Sequence, residues 1–306
     1  MVEESGLLLI NKPAHVTSHD VVARVRRALG RKEVGHAGTL DPMATGLLVL
    51  LLGEATKISD YVLTGDKGYR LKVELGYETN TLDTDGEVVR RSDTKVSKEQ
   101  VRALAEQMTG DFNWPVPAFS AIKKDGQKLY ELARANKEVE APVKAMSFWD
   151  LQSFEVTDSS FDGQITCSKG SYIRSWASHL GSALKVGGTL SFLQRVYSEP
   201  YSLAQAVDLD KFEQAPAEIL RSGSFIPLSA TLPQFKSVHV KGKDERLLKN
   251  GQVSFDLERR MIPEQKACNL DQVIQYFKAV GPHQELVALL EVKPFHPVRI
   301  KRVFKA

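Results

Sequence analysis

The chain has 306 residues, 42% of them hydrophobic and 26% charged, an ordinary globular composition with length for two domains or one large domain with an appendage. Its 41 basic and 38 acidic side chains leave a net charge of +3, so bulk charge does not announce a nucleic-acid partner. No stretch approaches the roughly 18 apolar residues of a membrane span, the acidic start Met1–Ser5 lacks the basic region of a signal peptide, and the distant Cys167 and Cys268 form neither a disulfide framework nor a zinc motif, so a cytoplasmic location is expected.

In chain order, Gly6 to Ile10 is a short apolar strand stopped by Asn11-Lys12-Pro13. Ser18 reads as the N-cap of a helix through Leu29, with Asp20 in the first turn and Gly30 past its end. The loop Gly35 to Gly46 follows, with three glycines, His36 and Asp41-Pro42, and runs into the apolar strand Leu47 to Leu52. Tyr69 to Gly76 alternates as a half-buried strand. Asn80 to Gly86 is polar and reads as a surface loop, and Ser97 with Gln100 opens a capped helix. Asp111 to Gly126 reads as a loop, Ala141 to Phe154 and Phe161 to Cys167 as strands, and Ser171 or Tyr172 starts a helix. Leu190 to Tyr197 fits either a strand or a short helix. A boundary at Leu232-Pro233 separates residues 1–232 from a small β-rich module, 233–306, and the irregular mixture of strands and helices favours an α+β fold.

Asp41 is the first candidate for chemistry. A carboxylate is ionised near neutral pH, with a reference pKa of about 3.9, and acts without a base to deprotonate it. It needs orientation and a counter-charge. Arg174, placed in the first turn of its helix against the dipole, is a plausible partner. Tyr69 lies beside Lys67 and Arg70, where an aromatic can stack a nucleobase. His36 has no second histidine or cysteine at ligand spacing, which argues against a metal. Gly53 to Lys57 lacks the spacing of a phosphate loop, which argues against a nucleotide cofactor. Basic clusters at Arg24 to Lys32, Lys123, Lys124 and Lys128, and Arg299 to Lys305 suit phosphate contacts.

Five runs in one order, across roughly residues 6–230, resemble the TruB family, the bacterial tRNA pseudouridine-55 synthases. They are NKPAHVTSHDVV from Asn11, GHAGTLDPMATGLLVLLLGEATK from Gly35, KGYR from Lys67, FSAIKKDGQKLYELAR from Phe119 and CSKGSYIRSWASHLG from Cys167. The resemblance implies a pseudouridine-synthase catalytic fold, a mixed, largely antiparallel sheet with flanking helices, followed by a PUA-like C-terminal domain. It implies isomerisation of uridine 55 in the T arm of tRNA, with no metal or other cofactor, in a monomer without an obligatory protein partner. By position Asp41 looks like the catalytic aspartate, Tyr69 like the tyrosine stacked on the target base, and Arg174 like the arginine paired with Asp41. Leu193 resembles a pocket-lining leucine and His36 the histidine that holds flipped nucleotides, while Lys12, Lys67 and Lys123 are expected on the substrate.

His15, Trp114, Val116, Gln194 and Glu199 depart from the family pattern, and none of them removes a catalytic candidate. The alternative is a non-catalytic tRNA-binding or tRNA-folding protein on the same scaffold.

Overall fold

The computed structural model describes residues 5–120, 122–124, 126–135 and 141–305, with the side chains of Lys128, Arg134, Asn269 and Asp271 outside the description. The acidic start at 1–4 lies outside it as well. The uninterrupted apolar run near residue 50 is explained by its position. Strand β1 (Gly6–Lys12) pairs antiparallel with β3 (Thr45–Leu52), and both faces of this pair are covered. Leu8, Ile10, Leu48, Leu50 and Leu52 enter one core, whereas Leu7, Leu9, Leu47, Val49 and Leu51 enter another. A strand covered on both faces has no use for polar alternation.

The first core lies under helix α1 (Ser18–Leu29). Its N-cap is Thr17, one residue before the expected Ser18, and Thr17 closes a capping box with Asp20. Ser18 is displaced from the cap because its hydroxyl is used elsewhere, on Leu40.

The large sheet continues through β4 (Lys67–Leu75), β5 (Gly110–Pro115), β6 (Val143–Val156), β7 (Ser160–Cys167) and β8 (Gly188–Ser198), in the spatial order β1-β3-β8-β4-β7-β6-β5. All pairs along that path are antiparallel except β3–β8. The segment 190–197, open between strand and helix in sequence, is strand. The reading of 111–126 as loop is corrected: β5 is an edge strand, and its proline sits at the end, where no ladder donor is needed. Helix α2 (Lys98–Gln107) keeps the expected Ser97–Gln100 capping box, and α3 (Ile173–Ala183) packs on β8.

At β3 the sheet forks. Thr45 and Gly46 pair parallel with Gln194 and Arg195 of β8, while Val49 to Leu52 pair antiparallel with β2 (Val34–Ala37). The segment 38–44, which joins β2 to β3, emerges from this fork.

Beyond residue 232, β9 (Lys236–His239), β10 (Gln275–Val280), β11 (Leu286–Val292) and β12 (Arg299–Val303) form a separate sheet in that order. Helices Lys243–Lys249, Phe255–Arg260 and Ile262–Asp271 accompany it. One face builds a local core with Leu248, Leu257, Phe277 and Leu290, and the other sends Leu286, Leu289 and Phe304 onto the back of β1 and β3. Among the described residues no helix is long and apolar enough to cross a membrane.

Candidate active site

Asp41 stands on the 38–44 loop with its side chain 32% exposed, open enough to meet a ligand. The loop beneath it is tied down backbone atom by backbone atom. Ser18 Oγ donates to Leu40 O at 3.2 Å and accepts from Leu40 N at 2.9 Å. His15 N donates to Pro42 O at 2.8 Å, and Lys12 Nζ reaches the same carbonyl at 3.2 Å. Ala44 N donates to Asp41 O at 3.1 Å, closing a turn around the aspartate. His15 holds φ at 61°, a region that favours glycine, so its bond to Pro42 is made from a strained backbone.

Arg174, in the first turn of α3, meets the carboxylate. Its Nη2 donates to Asp41 Oδ1 at 3.0 Å, and its Nε lies 2.9 Å from Oδ2. The Nε contact is an ion-pair distance without hydrogen-bond alignment, and Nε has no hydrogen-bond partner among the described residues. The guanidinium is 4% exposed and is also held by Thr81 O at 3.0 Å and Phe119 O at 2.9 Å. Asp83 Oδ2 lies 3.6 Å from Nη1, so one buried cation faces two carboxylates. Burial pushes the Asp83 carboxyl above its usual range, against the pull of the Thr81 hydroxyl and Arg174.

Asp83 was not legible in the sequence. The segment 80–86 reads as a wet loop, yet Thr79 and Asp83 are buried, and Thr84 N and Leu190 N bond across to Leu190 O and Leu82 O. Polar composition concealed this, because the loop does lie at the surface and only Asp83 turns inward, held by the Thr81 hydroxyl and the Asp85 N–H.

Tyr69 and Leu193 line the same region from adjacent strands. Tyr69 of β4 sits opposite Arg195 of β8 and packs on the main core. Burial raises its hydroxyl above the ordinary tyrosine value, and the Arg195 guanidinium beside it opposes that rise. Leu193 is buried in the main core opposite Leu71. His36 is half-buried on β2, edge-on to His19 at 5.3 Å. Its Nδ1 has no partner among the described residues, and burial together with His19 and Arg195 lowers its basicity.

The three lysines fall in different places. Lys12 is fully buried, its ammonium bonded to Pro13 O, Val16 O and Pro42 O at 2.9, 2.7 and 3.2 Å. Burial lowers its pKa to about 8, partly opposed by Asp41. Lys67 is also buried, on the carbonyls of Leu63 and Gly65, and burial with Arg195 lowers it to about 8. Lys123 is exposed on a small hairpin, Lys123–Lys124 against Gln127–Lys128. The structure therefore pairs Asp41 with Arg174, sets Tyr69 beside Arg195 within electrostatic reach of Asp41, and places Lys12 under the Asp41 loop, while Leu193 and Lys67 are buried nearby on β8 and β4 and Lys123 stands apart on the surface.

Residues 26–173 match the family model described as TruB family pseudouridylate synthase (N terminal domain). A protein from Bdellovibrio bacteriovorus named tRNA pseudouridine synthase B is 44% identical over 302 residues, covering 98% of this chain and 97% of its own. Another of that name, from Oleidesulfovibrio alaskensis, is 42% identical over 253 residues, covering 82% and 81%. Among solved structures, a chain of an H/ACA ribonucleoprotein bound to a substrate RNA containing 2'-deoxyuridine superposes with a TM-score of 0.68 at 18% identity, covering 98% of this chain and 85% of that one. A chain of an archaeal box H/ACA Nop10-Cbf5 complex gives 0.66 at 19%, covering 99% and 87%. At that identity the likeness is one of fold.

Proposed function

Because the chain belongs to the TruB family of pseudouridylate synthases, we propose that it isomerises uridine to pseudouridine at position 55 in the T arm of tRNA, with Asp41 as the catalytic carboxylate. Its enzyme class is tRNA pseudouridine synthase. The observation that carries the assignment of Asp41 is the pairing of a half-open carboxylate, on a loop held at Leu40, Asp41 and Pro42, with a buried guanidinium.

The reaction breaks the N1 glycosidic bond, turns the uracil and joins its C5 to the same sugar carbon, and as the C5 proton leaves, N1 takes one up from solvent. No electron is gained or lost. An extruded base costs a few kcal/mol to unstack. Tyr69 offers a face to the flipped uracil, Leu193 bounds the pocket, and His36 at the rim meets neighbouring nucleotides. Asp41 acts on the sugar, while Arg174 fixes its orientation and limits the cost of holding it out of water. Lys12 and Lys67 serve the site through the backbone they hold, and Lys123 is an outlying phosphate contact. Residues 1–232 form the catalytic domain and 233–306 a PUA-like domain on the same RNA. The enzyme acts as a monomer in the cytoplasm.

The experiment uses unmodified tRNA tritiated at uridine C5. Wild type releases tritium, and Asp41→Asn, which keeps the side-chain shape, lowers the single-turnover rate by about 10³-fold or more. Equal release by both would remove Asp41 from the chemistry. Tight tRNA binding by wild type with no pseudouridine formed would favour an RNA-folding role instead.

A further inference from the structure

We infer that Arg195 is a positioning residue that sets the width of the fork in the sheet and so aims the Asp41 loop at Tyr69. The inference rests on Asp41 being the catalytic carboxylate. Three observations carry it.

Arg195 is 2% exposed, and among the described residues no carboxylate lies within ion-pair distance of its guanidinium. A buried charge without a counter-ion is costly, so it persists where its hydrogen bonds are needed. Those bonds go to two backbone carbonyls on opposite flanks of the Asp41 loop: Nε donates to Leu47 O at 2.7 Å and Nη2 to Gly38 O at 3.1 Å.

The second observation is where those carbonyls lie. On the far side of β3, the last pair with β8 is Gly46–Arg195 and the first with β2 is Val49–Ala37. Leu47 falls in the gap between the two ladders. The guanidinium there takes the place of a strand, bonding one arm of the fork with Nε and the other with Nη2. The planar, rigid spacing of its donors fixes the separation of the arms, which a lysine cannot do.

The third observation is the cleared space around it. Gly38 and Gly46 both have positive φ, 91° and 97°. A Cβ on Gly46 would lie 2.4 Å from Arg195 O, and one on Gly38 would lie 3.4 Å from Arg195 Nη1. Gly46 thus admits the Arg195 backbone, and both glycines supply the positive-φ turns on either side of the guanidinium. Tyr69 completes the arrangement, because its place opposite Arg195 in the β4–β8 ladder puts its hydroxyl beside the same guanidinium.

The test compares wild type, Arg195→Lys, Arg195→Gln and Asp41→Asn for single-turnover pseudouridine formation, tRNA affinity and thermal melting. Arg195→Lys keeps the buried charge and loses the fork. Its rate at saturating tRNA falls by about 100-fold, the order expected for a displacement near 1 Å, while Kd stays within threefold and the variant melts cooperatively. A folded Arg195→Lys at the wild-type rate overturns the inference, and so does a loss confined to Kd. Arg195→Gln falls at least as far as the lysine variant; if it does not fold, Arg195→Lys decides alone. An active Asp41→Asn would instead overturn the functional reading on which the inference stands.

Discussion

Lys12 puts a measurable number on the support of the site. Its pKa is about 8 in the folded chain against an ordinary value of 10.5. Below pH 8 both folded and unfolded chains hold the proton. Between pH 8 and 10.5 the unfolded chain holds a proton that the native state has released, so the Lys12 contribution to stability rises with pH across that window. The stability difference, wild type minus Lys12→Met, should therefore grow by on the order of 3 kcal/mol from pH 8 to 10.5, read from urea denaturation at several pH values. A flat difference would show that burial does not strain this ammonium. The residue scale is also where sequence reading was most uneven. Asp41 and Arg174 stood out because their local settings, a glycine-rich turn and a helix start, ask for an explanation. Asp83 and Arg195 did not, because one sits in a polar loop and the other in a strand whose core-facing side gives no reason to expect a charge.

Among the elements, edge strand β5 answers what Trp114, a departure from the family pattern, does. Trp114 stacks on Phe112 at 4.3 Å and on His179 of α3 at 4.1 Å. Ser175 Oγ donates to Pro115 O and Trp176 Nε1 to Met108 O, so the strand and its approach are fastened along the helix that carries Arg174. Trp114 therefore serves packing. Trp114→Gln should cost about 1–3 kcal/mol in chemical denaturation from the two lost stacks and leave tRNA affinity unchanged. Weaker binding at unaltered stability would reverse that assignment. The strand alternates, with Phe112 and Trp114 inward and Asp111 and Asn113 outward, but it is short and runs into a proline-rich turn, which masked it.

For the whole molecule, the division of β1 and β3 between two cores ties the C-terminal sheet to the large sheet. Leu289 and Phe304 pack with Leu7, Leu9 and Val49. Leu289→Ala should destabilise the full chain by about 3 kcal/mol, with one shared melting transition in calorimetry. Two separated transitions, only one of them shifted, would show that the parts unfold independently. The α+β class and a small β-rich C-terminal part were legible in sequence from the irregular mixture of strands and helices, and the large, largely antiparallel sheet from the family resemblance. How the second sheet docks was not, since a fully apolar strand states that both faces are covered but not by what.

The fork also fixes an order of events during synthesis. Its two arms and its bonding guanidinium come from residues 34–37, 45–52 and 195, so the chain that carries Asp41 is made long before the strand that aims it. Contacts between residues this far apart in sequence form late. A nascent chain that has not yet released residues 188–198 from the ribosome holds the aspartate on an unframed loop, and the enzyme acquires its activity only after about two thirds of the chain is free.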